Sequence, residues 1–228
     1  LTGAVNPSGK LAYAIPKKDT DTMVTISQEA LDAQDQETEG AAYTDADYEK
    51  EIKMGRYSSI EEAKEGMGEN RTNHTADYSE GIYTGYRWYD ENDIEPQYDF
   101  GYGLSYTTFE YSDLTVEEST EGSDTVGYDV TFTVTNTGNT AGTETAQVYL
   151  GEAEVPESVQ MAKYQLCGYE RIEDLQPEES RTVTIHVDER ALSYWNTDGE
   201  LQEREDGTKD KWTVAEGERT VYVGAASD

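Results

Sequence analysis

Cysteine and histidine are almost missing from this sequence: Cys167 is its one thiol, and His74 and His186 are its only imidazoles. One cysteine forms no internal disulfide and builds no cysteine-based zinc site, and two histidines without partners by spacing define no metal centre. The redox compartment is left open by this. Basic residues are scarce too, 17 Lys and Arg against 49 Asp and Glu, which leaves a net charge of −32 and a pI near 4.1. A surface this negative repels phosphate backbones and anionic lipid, so nucleic acid and a membrane face are poor partners, while neutral ligands such as sugars remain. No run of about 18 apolar residues exists, so nothing reads as a membrane-spanning helix. The chain opens at Leu1 into a turn region, Gly3 to Gly9, with no charged-then-apolar signal segment, and reads as a piece of a longer protein.

Mean hydropathy of −0.85 and high charge are also the marks of disorder, but 18 tyrosines are more than an unfolded tail carries. The rings are concentrated. Between Tyr78 and Tyr111 stand Tyr83, Tyr86, Tyr89, Tyr98, Tyr102 and Tyr106 together with Trp88, Phe100 and Phe109. Each such ring removes a large apolar area from water while Tyr and Trp keep a polar tip, so the stretch reads as a spacer pressed between two bodies. Gly81, Gly85, Gly101 and Gly103 then mark close backbone approach or positive φ. Stacking on sugar rings is the other use of such aromatics. Interleaving with glycine and with Ile82, Ile94 and Leu104 favours burial over an exposed platform.

Along the chain, Asn6-Pro7-Ser8-Gly9 forms a turn, and Leu11 to Ile15 reads as one strand stopped by Pro16, pairing with a sheet outside this chain. Residues 23–77 are an acidic insertion wrapping a neighbouring domain, with one short helix, Ile60 to Glu65, capped by Ser59 and Glu62 and stopped by Gly66. Asp45, Asp47 and Glu49 suggest a calcium loop, but Lys50 and Arg56 occupy the positions that need Gly and Glu. Asn70-Arg71-Thr72 and Asn73-His74-Thr75 are formal glycosylation sequons at Asn70 and Asn73.

From Thr107 onward the alternation is regular. Val126, Tyr128, Val130, Phe132 and Val134 share one face of a half-buried strand, and Asn136-Thr137-Gly138-Asn139 turns the chain. Further strands are expected at Leu114–Val116, Thr143–Leu150, Gln165–Ile172, Thr182–Val187, Trp212–Val214 and Arg219–Val223, with turns at Gln176 to Glu179, Asp198-Gly199 and Glu216-Gly217. About seven short strands predict an immunoglobulin-like or fibronectin-like β-sandwich, and the lack of a paired cysteine favours the fibronectin type. His186 reads as a lone exposed strand residue with no nucleophile or orienting acid beside it.

Three motifs add a resemblance. YSEGIYTGYRWYD (Tyr78 to Asp90) and FGYGLSYTTFEYS (Phe100 to Ser112) resemble the connector of the family 3 glycoside hydrolases, the β-glucosidase-like enzymes, which joins an α/β sandwich domain to a fibronectin type III-like domain. VNPSGKLAYAIPK (Val5 to Lys17) is similar to the run that ends that sandwich domain, and VTNTGNTAGTETAQVYL and VYVGAAS continue the likeness. Only about Met23 to Asp77 matches nothing. The resemblance implies a mainly β chain: 1–22 the end of the α/β sandwich domain, 23–77 the insertion, 78–106 the connector, and 107–228 the fibronectin type III-like domain. The extended, mostly irregular leading segment would pack on the α/β sandwich domain.

It also implies that the nucleophilic Asp and the acid/base Glu lie in domains upstream, so this chain alone is expected to be inactive. No catalytic, cofactor-binding or metal-binding residue is assigned, Glu80 included, and no cofactor is expected. The expected partners are the barrel and α/β sandwich domains of the same enzyme and, through them, an oligo- or polysaccharide. A location outside the cell or at its surface is expected, the cytoplasm being the alternative. The function implied is to brace the catalytic domains of a β-glycosidase; the alternative is a carbohydrate-binding or structural cell-surface module without catalysis.

Overall fold

The computed structural model describes residues 3, 5–18, 21–22, 39–53, 57–67, 70–72, 80–122, 124–204 and 207–227. Two compact units divide the chain: Val24–Ser79 is one, and Leu1–Met23 together with Glu80–Asp228 is the other.

In the smaller unit, β1 (Glu39–Ala42) pairs antiparallel with β2 (Asn70–Thr72), and α1 (Asp45–Lys53) and α2 (Ile60–Met67) lie between them in sequence. Tyr48 of α1 and Ala63 of α2 are buried, and the Lys64 ammonium sits 5.3 Å from the centre of the Tyr48 ring and 3.5 Å from Asp45 Oδ1. The irregular insertion expected here is therefore a small α/β unit in its described part. Apolar periodicity could not announce α1, because it rests on one buried ring with an exposed Glu49–Lys53 pair along the helix. The cap of α2 is as expected in part: Glu62 N donates to Ser59 Oγ at 3.2 Å, but the Glu62 carboxylate accepts from Ser58 N at 2.8 Å. The helix also continues past Gly66 to Met67. A Cβ on Gly66 would stand 2.6 Å from Cε1 of Tyr57, so this glycine makes room for a ring and does not end the helix. Asn70 opens β2, whereas Asn73 and His74 lie outside the described residues.

The larger unit contains α3 (Tyr86–Glu91) and then the sandwich. One sheet has the order β3-β4-β7, from β3 (Phe109–Glu121), β4 (Asp124–Asn136) and β7 (Ser180–Asp188). The other has the order β12-β5-β6, from β5 (Gly142–Gly151), β6 (Tyr164–Leu175) and β12 (Val221–Gly224). Every neighbouring pair is antiparallel. Two short pairs complete it: β8 (Ser193–Trp195) with β11 (Trp212–Val214), and β9 (Gln202–Glu203) with β10 (Lys209–Asp210). All seven expected strands are present, most of them longer than the alternation alone marked.

The period-two pattern explains the core. Val130, Phe132 and Val134 of β4, Val183, Ile185 and Val187 of β7, Ala146, Val148 and Leu150 of β5, and Ile172 and Leu175 of β6 form one buried cluster. Each fully buried Val, Leu, Ile or Phe contributes about 1.5–3 kcal/mol. The opposite face of β4 and β7 is polar and laddered, with Thr131 and Thr184 hydroxyls 2.9 Å apart and those of Thr135 and Ser180 2.8 Å apart. Asn136 ends β4 fully buried: its amide nitrogen donates to the carbonyls of Thr140 (2.9 Å) and Leu175 (2.8 Å), and its oxygen accepts from Gly138 N and the Thr107 hydroxyl.

Two contacts lie beyond what the sequence displays. Leu11 to Ile15 runs antiparallel along one edge to the connector of its own chain. Leu11 N donates to Tyr102 O and Ile15 N to Tyr98 O, each at 2.8 Å, and Gly101 N and Gln97 N return bonds to Leu11 O and Ile15 O. The partner lies some ninety positions away, beyond the reach of local pattern. His186 is exposed on its strand as expected, but its Nδ1 lies 2.7 Å from Oδ1 of Asp129, the residue directly across in β4. Cross-strand register supplies that acid, and the sequence spacing does not display it.

Candidate interaction surface

The aromatic stretch has two faces. On the inner one, Tyr86 of α3 sits against Phe100 (ring centres 5.5 Å apart) and meets Tyr149 of β5 edge-on (5.9 Å). Leu166 N of β6 donates to the Tyr86 hydroxyl at 2.9 Å, and burial pushes the titration of that phenol up. Tyr89 is buried, the Tyr83 hydroxyl donates to Met161 O at 3.5 Å, and Trp88 Nε1 donates to Asp21 O at 3.2 Å. These contacts join the connector to its own sandwich and to the amino-terminal segment, so part of the packing expected between bodies occurs inside this chain.

The residues that hold this face are charged or polar at a few points only. Lys163 Nζ donates to Asp90 O (2.7 Å) and to Asp93 Oδ1 (2.8 Å). Burial, opposed by the Lys163 charge and assisted by Asp99, raises the Asp90 carboxyl to about 6, and its Oδ2 is buried with no hydrogen-bond partner among the described residues. Lys10 Nζ reaches Glu144 Oε1 of β5 at 2.7 Å, an ion pair whose acid is buried. Asn6 accepts from Tyr106 N (2.8 Å) and the Ser105 hydroxyl (3.1 Å) and donates to Ala141 O (3.0 Å), so the Asn6 turn is fastened to the connector and the β4–β5 turn together.

Two glycines expected to permit close approach do so. Gly101 has φ of 87°, and a Cβ there would stand 2.9 Å from Ala225 O; at Gly103 it would stand 2.6 Å from Gly9 O. Cys167 donates to Val148 O, and burial pushes its thiol up to about 11, which makes it an inert core thiol.

The outer face is apolar and in water. Val5 is 81% exposed, Leu104 68% and Tyr13 63%, and Tyr98, Tyr102 and Tyr106 are exposed beside them in sequence. Tyr98 and Tyr102 pack ring to ring at 4.7 Å. Exposed apolar side chains of this kind, along the amino-terminal segment and the connector, are suited to covering by another protein surface. Glu80, given no role by the sequence, opens the turn in which Tyr83 N donates to its carbonyl. Among the described residues no three His, Cys, Asp or Glu side chains group to hold a metal ion.

Residues 144–227 match the family described as the fibronectin type III-like domain. The whole chain aligns at 31% identity with the probable β-glucosidase D of Aspergillus niger, covering 24% of that protein. The thermostable β-glucosidase B of Acetivibrio thermocellus is 40% identical over 151 residues, 66% of this chain and 18% of its own length. Among solved structures, the GH3 β-glucosidase of Bifidobacterium adolescentis matches 99% of this chain at 31% identity with a TM-score of 0.65, over 25% of that chain. β-Glucosidase 3B of Thermotoga neapolitana matches all of it at 31% identity and a TM-score of 0.64, over 24% of that chain. The chain thus spans at most about a quarter of the length of these relatives.

Proposed function

Because this chain belongs to the family 3 glycoside hydrolases, the β-glucosidase-like enzymes, and spans at most a quarter of its relatives' length, we propose that it is the C-terminal accessory part of a β-glycosidase. Its task in that reading is mechanical. The sandwich is a stiff body, α3 and the aromatic connector are bonded onto one of its sheets, and the outer band of Val5, Tyr13, Leu104 and Tyr106 is offered to the domains that carry the catalytic carboxylates. The observation that carries the reading is this two-faced connector: the inner rings are satisfied within the chain, and the outer apolar side chains are not. Burial of Tyr86 and Tyr89 also removes them as a platform for stacking sugars, which disfavours the connector itself as a carbohydrate-binding site.

The substrate of the longer enzyme would be an oligo- or polysaccharide with β-linkages, handled by the other domains, and this chain alone would be inactive. Net charge of −32 and a polymeric-sugar substrate support a location outside the cell or at its surface. The test has two arms. The 228-residue chain should turn over no aryl β-glycoside at any pH, and turnover abolished by mutating one of its own acids would sink the proposal. In the longer enzyme, Leu104→Asp with Tyr106→Asp should lower activity and melting temperature while the isolated chain keeps its own melting temperature. An enzyme indifferent to both charges would show that this band braces nothing.

A further inference from the structure

Beside the connector lies a hollow of about 320 Å³ lined by Trp195, Trp212, Arg87, Gln160, Gln165 and Ser193 among others. That volume is at the lower end of small-molecule sites. Its lining departs from the rest of the surface. The chain has 49 acids, yet none of the described ones borders this hollow, whereas four other hollows carry Glu218, Glu144, Glu154 and Glu170.

The aromatic part is fixed in place. Trp212 of β11 has the Arg190 guanidinium 3.4 Å from its ring centre and meets Trp195 of β8 edge-on at 5.4 Å, the two being cross-strand partners. Trp195 remains 43% exposed, so an indole is held rigidly at the rim with area still in water. The polar part is made of donors. Gln160 uses its carbonyl oxygen to accept from Ile82 N at 3.3 Å, which turns its NH₂ group into the end left to donate. Arg87 places one terminal nitrogen 3.2 Å from the Thr84 hydroxyl, and its Nε is buried with no partner among the described residues.

We infer that this hollow binds a neutral pyranose, one face of the sugar ring lying on Trp195 and its hydroxyl oxygens accepting from Gln160 and Arg87. An apolar ring face edged by hydroxyls is the chemistry that an exposed indole beside amide and guanidinium donors recognises. Lack of carboxylate lining removes cations as occupants, and the field of a −32 chain repels anions. The choice of a sugar over another neutral ring rests on the β-glycosidase reading; the hollow and its lining do not.

Tryptophan fluorescence and calorimetric titration of the 228-residue chain test this, using methyl β-glucoside, cellobiose and glucuronate as probes. Saturable binding of the first two is expected. Trp195→Ala should weaken it by about tenfold or more, and Gln160→Ala, which leaves the β8–β11 pair intact, by several-fold with only the small loss of melting temperature that its bond to Ile82 N accounts for. No saturable binding, binding untouched in Gln160→Ala, or glucuronate bound more tightly than the glucoside would overturn the inference. Aryl β-glucoside hydrolysis by the longer enzyme separates the two failures. A chain that binds sugar within an inactive enzyme sinks the function reading alone, and an active enzyme whose chain binds none sinks this site alone.

Discussion

Tyr86 and Leu166 join the connector to the sandwich through a bond from backbone to side chain: the Leu166 amide of β6 donates to the Tyr86 hydroxyl at 2.9 Å, while the Tyr86 ring lies against Phe100 and Tyr149. Tyr86→Phe keeps the ring and strands a half-buried amide, which should cost about 1–2 kcal/mol. Tyr86→Ala empties the site as well and should cost about 3–5 kcal/mol. Chemical denaturation of both variants checks this. Equal losses would mean that the ring contributes nothing beyond its hydroxyl.

Asp90 makes stability depend on pH. Its folded-state carboxyl titrates near 6 against an ordinary 3.8, because burial disfavours the charge more than Lys163 favours it. The neutral acid is the form the fold prefers, so its contribution is full below about pH 4 and lost as pH rises through about 6. Asp90→Asn should flatten that slope and raise stability at pH 7 by about 1–2 kcal/mol, a figure reduced because the group is only half-buried. Denaturation midpoints taken from pH 4 to 8 in both proteins give the answer. A variant less stable than the parent at pH 7 would refute it.

Asn136 holds the β4–β5 turn with four side-chain bonds in a fully buried position. Asn136→Ala should cost about 3 kcal/mol by leaving the Leu175 and Thr140 carbonyls unpaired. Asn136→Asp should cost more, since a carboxylate would face both carbonyls. Thermal melts rank the two, and an aspartate variant as stable as the parent would contradict the bonding scheme.

Exposed carboxylates crowd this surface. Their repulsion weakens as salt shortens the screening length to about 8 Å near physiological ionic strength, so the melting temperature should rise with sodium chloride at neutral pH. A fall would mean that attractive pairs such as Lys163–Asp93 and Arg181–Glu179 outweigh the repulsion.

The sandwich was legible because alternation is a local signal: Val130, Phe132 and Val134 announce an inner face whatever they pair with. What escaped reading depends on register or on distant pairing. Asp129 stands beside His186 only because β4 and β7 align as they do, and Leu11 finds Tyr102 only once the connector has folded back. Helix α1 escaped for another reason, since one buried Tyr48 leaves no stripe to count. The tryptophan hollow is assembled from residues 82 to 212, and the only hint of it in the sequence is that Trp195 and Trp212 each sit next to strand-forming residues.

The bond from Trp88 Nε1 to Asp21 O spans 67 positions and closes the excursion that contains the smaller unit. For a closed loop, each doubling of its length costs only about 0.6 kcal/mol in chain entropy. The same polymer arithmetic makes this junction the place where the polypeptide tolerates change in length. Shortening or enlarging the segment between Met23 and Glu80 should therefore leave the sandwich and its connector with their geometry, and this junction is a place to graft a foreign domain.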